Sequence, residues 1–254
     1  MAAPSDLIPT FVGYISSTQD ALLLIQQCID GSKHHVRRRA HDREREELIR
    51  SGHCFLYEES RSGIKRWTDG ISWSPSRILG NFLVYRELSE PFPPGEKKKA
   101  LKKNKQDHHS TTGAQNTSEI DPSTGLTRDR ARSLVGSLVD SYGFKKGGLV
   151  KKTISVKQGD TIHHMVSYYT VDDVVTNQLT TPSDDPQIKH TRIEQALIEG
   201  QSFRTGIHEQ SGLLNNEPNN PAMHMPNNHR SQYRSLSSYE MTSNQLPNNL
   251  HHST

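Results

Sequence analysis

The stretch GLVKKTISVKQGDTIHHMVSYYTVDDV, residues 148–174, constrains the fold more than any other part of the chain. Val150, Lys152, Ile154 and Val156 alternate with Lys151, Thr153 and Ser155. Gln158-Gly159-Asp160 turns the chain, and Ile162, His164, Val166 and Tyr168 alternate on the return. This predicts a β-hairpin followed by a short helix capped by Thr170 and Asp173. A two-stranded hairpin is marginal in water, so this one must join a larger sheet. Partner strands are legible upstream at Thr10–Ile15, His53–Glu59 and Asn81–Leu88, all rich in aromatic and β-branched residues. Residues 10–88 and 143–176 are therefore expected to form one cooperative α+β unit.

Helices should flank that sheet. Ser17 and Asp20 form a capping box ahead of Ala21, Leu22, Ile25, Cys28 and Ile29, with Gly31 as a stop. A second helix is expected over Asp42–Ser51, and a third over 128–142, where Leu134, Val135, Leu138 and Val139 recur at helical spacing.

Only 31% of the residues are hydrophobic, and the mean hydropathy is -0.78. The apolar residues concentrate between Phe11 and Leu88 and between Leu149 and Val175, so about half the chain can offset the entropy of ordering. Residues 89–142 read as a linker or disordered insertion that carries the helix expected over 128–142, and 177–254 as a largely disordered tail with a short helix near Arg192–Glu199. Lys97, Lys98, Lys99, Lys102, Lys103 and Lys105 in the insertion fit a nuclear import signal or a plain solvated linker. Two cysteines, Cys28 and Cys54, form no ligand or disulfide pattern and read as core residues in a reducing compartment. No signal sequence or membrane-length apolar run is present, as expected of a soluble intracellular protein.

The chemistry of enzymes is hard to place in this sequence. The histidine pairs His34-His35, His108-His109, His163-His164 and His251-His252 are adjacent rather than at ligand spacing. There is no glycine-rich phosphate loop and no nucleophile elbow. No enzyme activity, metal, cofactor, small-molecule substrate or membrane partner is expected. The basic loop GIKRWTDGISWSP, residues 63–75, is more informative, because it holds both tryptophans of the chain among turn residues. Arg66 at a rigid tip suits a narrow A·T-rich minor groove, while Gly63, Gly70 and the Thr68 hydroxyl suit phosphates. Trp73 reads as a hydrophobic anchor; Trp67 fits either an anchor or a stacking surface. Arg37, Arg38 and Arg39 form a second basic point, Lys151 and Lys152 a third, for phosphate contacts. Lys65-Arg66-Trp67-Thr68 also fits a basophilic kinase site, and phosphate on Thr68 would oppose a nearby DNA strand.

SSTQDALLLI, VRRRAHDRER, SGIKRWTDGISWSPSRILGNFLVYREL and GLVKKTISV with HHMVSYY together resemble the WOPR-domain family of fungal transcription regulators, which control morphology and development. The resemblance covers residues 9–88 and 143–176. It implies two interlocking subdomains sharing an antiparallel-rich sheet, and a double-stranded, A/T-rich DNA partner. It further implies minor-groove insertion by the loop matching Arg66, Trp67, Thr68, Asp69 and Gly70, with Lys65 and Arg77 beside it, and a kinase acting on Thr68. Ser17-Thr18 stands where the family pattern has Thr-Pro, which leaves the cap but removes the rigid first helical position. The alternative from another class is a phosphopeptide-binding scaffold whose arginines capture phosphate.

Overall fold

In the computed structural model, which describes residues 7–93, 120 and 124–208, the strands are β1 (Phe11–Val12), β2 (His53–Glu58), β3 (Arg77–Leu79), β4 (Phe82–Arg86), β5 (Val150–Gln158) and β6 (Thr161–Tyr169). The helices are α1 (Thr18–Ile29), α2 (Arg45–Leu48), α3 (Glu59–Ser62), α4 (Arg128–Val135), α5 (Val171–Val175) and α6 (Gln195–Ile198), with a 3-10 turn at Asp42–Glu44. The six strands run in the order β1-β2-β6-β5-β4-β3, every pair antiparallel. The hairpin β5–β6 occupies the centre, with β2 on one side and β4 on the other. This is how the two sequence segments interlock: neither closes a sheet without the other.

Alternation assigns the faces. Cys54 and Leu56, Ile154 and Val156, Phe82 and Met165 point to one side and pack against Leu22, Leu24 and Ile25 of α1. Ser17 caps that helix as expected: its Oγ accepts from Asp20 N (3.1 Å), and Asp20 Oδ2 accepts from Ser17 N (2.9 Å). On the other face Phe55, Tyr57, Val166 and Tyr168 meet Val36, Ala40, Ile49 and Ile64. A third cluster joins Tyr14 and Tyr169 to Leu134 and Val135 of α4 and to Val171 and Val174 of α5. Both cysteines are free and buried.

Boundaries differ from those expected at several places, and the helix expected over Asp42–Ser51 is a 3-10 turn at Asp42–Glu44 followed by α2 at Arg45–Leu48. The helix expected over 128–142 ends at Val135, because Gly136 takes a positive φ of 61°. The chain then folds back so that Arg86 donates to the Leu138 and Val139 carbonyls at 2.7 and 3.0 Å. Strand β3 follows the basic loop directly and makes a hairpin with β4, a pairing hidden in the sequence by its short length. Residues 177–208, assigned to the tail on composition, are part of the fold: Ile188 and Leu197 are fully buried against the α1 side of the sheet. The short helix expected near Arg192–Glu199 is present as α6, but composition hid the packing of the surrounding stretch, whose apolar residues are sparse. The remainder of that tail and the lysine cluster Lys97–Lys105 lie outside the described residues. Among the described residues no helix is long and apolar enough to cross a membrane.

Candidate nucleic-acid interface

After α3, Gly63 turns the chain in the left-handed region (φ 67°), and the loop then crosses the sheet face opposite α1. Its side chains divide by depth. Ile64 is buried, Lys65 and Arg66 are exposed, Trp67 is half-buried, Thr68 is exposed, Asp69 is buried and Gly70 is exposed. Trp67 stacks on Phe55 and Tyr57 with ring centres 5.2 and 5.5 Å apart, and its Nε1 donates to the Tyr168 hydroxyl at 2.8 Å. These contacts anchor the ring on the sheet face. Trp73 stacks on Tyr168 on the same sheet face.

Asp69 is the internal hub of the loop. Only 4% of it is exposed, and its carboxylate accepts from Trp73 Nε1 (2.8 Å), Tyr168 Oη (2.8 Å), Lys151 Nζ (3.0 Å) and Ile71 N (3.2 Å). Lys151 also lies 4.4 Å from the centre of the Trp73 ring. Burial pushes the Lys151 ammonium below the usual lysine range, against the pull of Asp69. The same burial, reinforced by the Asp69 charge, holds the Tyr168 hydroxyl well above the usual phenol range. Two aromatic plates and one buried ion pair thus fix the backbone, while Lys65, Arg66, Thr68 and Gly70 face outward.

The basic residues expected to meet DNA separate into groups. Arg39 joins the tip, donating to the Arg66 carbonyl at 3.1 Å, and Arg37 is exposed. Arg38 is held by Glu44 through two contacts of 2.6 and 2.8 Å, and these bonds hold the Glu44 carboxyl down at about 2. Arg77 sits away from the tip on edge strand β3, donating to the Tyr142 hydroxyl at 3.1 Å.

Lys151, Lys152 and Asp69, expected among the contact residues, are all buried. Lys152 is fully enclosed: Nζ donates to the Ile15 carbonyl at 2.8 Å and lies 4.1 Å from the Phe82 ring centre, and burial pushes its pKa down to about 7. A lysine in an alternating strand looks exposed in sequence, yet position 152 shares the α1-facing parity of Ile154 and Val156.

Arg45 was missed as a site residue. Its guanidinium lies over Gly70, where a β-carbon would come within 2.3 Å of an Arg45 terminal nitrogen. Nothing local in the sequence links position 45 to position 70. His163 and His164 face opposite sides of β6, His163 against His35 (3.2 Å) and His164 between Ser155 (2.7 Å) and Glu59 (3.0 Å), whereas His108-His109 and His251-His252 lie outside the described residues. Among the described residues no group of His, Cys, Asp or Glu is arranged to hold a metal ion.

The Gti1/Pac2 family model matches residues 10–170, more than half of the chain. The chain belongs to the Gti1/Pac2 family. Within it, the chain is 50% identical over 224 residues to the global transcription regulator sge1 of Gibberella fujikuroi, covering 84% of this chain and 67% of that protein. It is 33% identical to white-opaque regulator 1 of Candida albicans, over 76% of this chain and 33% of that protein. A solved complex of the WOPR domain of Wor1 from Candida albicans with a 13-bp double-stranded DNA superposes with a TM-score of 0.51 at 35% identity, over 76% of this chain and 96% of that one.

Proposed function

We propose that this chain is a sequence-specific double-stranded DNA-binding transcription regulator of fungal development or morphology, which places Arg66 in the minor groove of an A/T-rich site. The observation that carries this reading is the mounted loop: Trp67, Asp69 and Trp73 are fixed inward, so Arg66 projects from a rigid base at little entropic cost. A narrow A·T-rich groove concentrates negative potential, and a planar, weakly hydrated guanidinium is the side chain that suits it. Lys65, Thr68 and Arg39 surround it and supply phosphate contacts. The likeness to a WOPR domain solved with double-stranded DNA supports the partner class. The reading extends to a nuclear location, with the lysine cluster at 97–105 as the import signal. It also makes Thr68, exposed beside Arg66, the acceptor of a basophilic kinase.

Selection of bound sites from a random duplex pool should return an A/T-rich motif. Arg66→Ala is expected to weaken binding to that motif about tenfold or more, or ~1.4 kcal/mol, in a gel-shift titration. Unchanged affinity would remove Arg66 from the interface. A pool with no enriched motif would overturn sequence-specific recognition.

A further inference from the structure

The loop from Lys65 to Ile71 forms a ridge transverse to the strands, crossing the face at the row Tyr168–Lys151–Tyr85. A groove lies on each side of it. Toward the β5–β6 turn, a groove of about 390 Å³ is bounded by Lys65 and Arg66 of the ridge and by Thr153, Ser155 and His164 of the sheet. Toward the opposite end of the same strands, a groove of about 470 Å³ is bounded by Gly70 and Ile71 of the ridge and by Arg45, Arg50 and Lys145 across from it.

We propose that these two grooves seat the two sugar-phosphate strands bordering the minor groove that Arg66 enters, a proposal that rests on the minor-groove reading of Arg66. An element inserted into a groove about 6 Å wide has a polyanionic strand on either side. A ridge that carries the inserting arginine therefore needs a cationic or hydroxyl-lined channel on both flanks. The second groove holds three cations. Arg50 is exposed, and Lys145 remains 57% exposed in spite of its 2.7 Å pair with Glu87. Arg45 leans on Gly70, is paired with the exposed Asp42 at 2.8 Å, and keeps its buried Nε without a hydrogen-bond partner among the described residues. Glu46 and Glu87 also line this channel, so its pull is concentrated at Arg50 and the tip of Arg45 rather than spread along it. The first groove combines Lys65 with the Thr153 and Ser155 hydroxyls, neutral groups of the kind that position a phosphate without reading sequence.

The test uses the full chain with the selected duplex and a series of duplexes carrying a single methylphosphonate, which removes one phosphate charge at a time. Two sets of sensitive phosphates are expected, one per strand, displaced toward the 3′ side of each strand as they face each other across the minor groove. The Arg45→Gln/Arg50→Gln double variant, with an unchanged melting temperature, should lower the slope of log affinity against log salt by about 1.8. It should also lose sensitivity to methylphosphonates on one strand alone, and Lys65→Gln should lose it on the other. Sensitive phosphates on a single strand, or an unaltered salt slope in the double variant while Arg66→Ala still weakens binding, overturn the two-groove seating and leave the Arg66 reading intact. Full affinity in Arg66→Ala overturns both.

Discussion

Asp69→Ala is expected to lower the unfolding free energy by about 3–5 kcal/mol, the cost of removing one partner from a buried ion pair. The carboxylate is the meeting point of Lys151, Tyr168 and Trp73, so its loss leaves an ammonium enclosed with no counter-charge and two aromatic donors without their acceptor. For a folded unit of this size the melting temperature should drop by roughly 6–20 °C. Urea unfolding followed by tryptophan fluorescence reports the change directly, since both indoles belong to the network. Asp69→Asn keeps an acceptor oxygen and removes the charge, and is expected to fall between Asp69→Ala and the wild type. Adding Lys151→Met to Asp69→Asn should recover part of the loss, because the uncompensated cation is then gone. The loop that presents Arg66 is unlatched in Asp69→Ala, so DNA affinity should fall even at temperatures where the variant remains folded. A loss under about 1 kcal/mol would show that the aromatic stacking holds the loop without the carboxylate.

The second large effect concerns Lys152 and carries a pH signature. In the folded protein its pKa is pushed down to about 7 by burial; in the unfolded chain a lysine titrates near pH ~10.4. Between those values the unfolded state binds more protons than the folded state, so stability rises with pH. Below the folded value the full cost of enclosing the cation is present. Lys152→Met removes that cost, at the expense of the hydrogen bond to the Ile15 carbonyl, and is expected to raise the unfolding free energy at pH 7 by about 1–3 kcal/mol. Urea midpoints compared between pH 6.5 and 9.5 should climb in the wild type and climb less in Lys152→Met. Lys151, whose pKa is also lowered by burial, contributes to the climb in both proteins and cancels from the comparison. Burial raises the pKa of Cys28 and Tyr57 to about 12 and that of Cys54 well above the usual thiol range. These groups oppose the climb above their unfolded values of roughly 8.5 for the thiols and roughly 10 for the phenol; they are present in both proteins and cancel from the comparison. Equal slopes in the two proteins would place the Lys152 charge elsewhere than in the folding equilibrium.

Much of the scaffold was legible because local chemistry and tertiary structure agree there. The capping box at Ser17 and Asp20, the alternation of 150–156 and the turn at Gly159 are local signals, and the structure uses each as written. The outward half of the loop was legible for the same reason, since Lys65, Arg66 and Thr68 stay exposed. What misled was charge without context. Lys152, Lys151 and Asp69 are polar letters in a basic neighbourhood, yet a strand's period of two and an ion pair 82 residues apart in sequence carry them inside. Arg38 was counted as a free cation until Glu44 closed on it. Ile188 and Leu197 fill the α1 side of the core from a segment whose composition is mostly polar.

Local chemistry specifies the elements: a capped helix, strands marked by β-branched and aromatic residues, and a glycine-punctuated basic loop whose residues match one family. These follow from interactions within a few residues, which a linear string records. Long-range packing sets the rest: the hairpin lies at the centre of the sheet, Trp67 packs on Phe55, Tyr57 and Tyr168, and Arg45 meets Gly70 across 25 positions of chain. Those outcomes depend on which faces become buried against which, and burial decides whether a lysine or an aspartate offers its charge to a partner molecule or spends it on the fold.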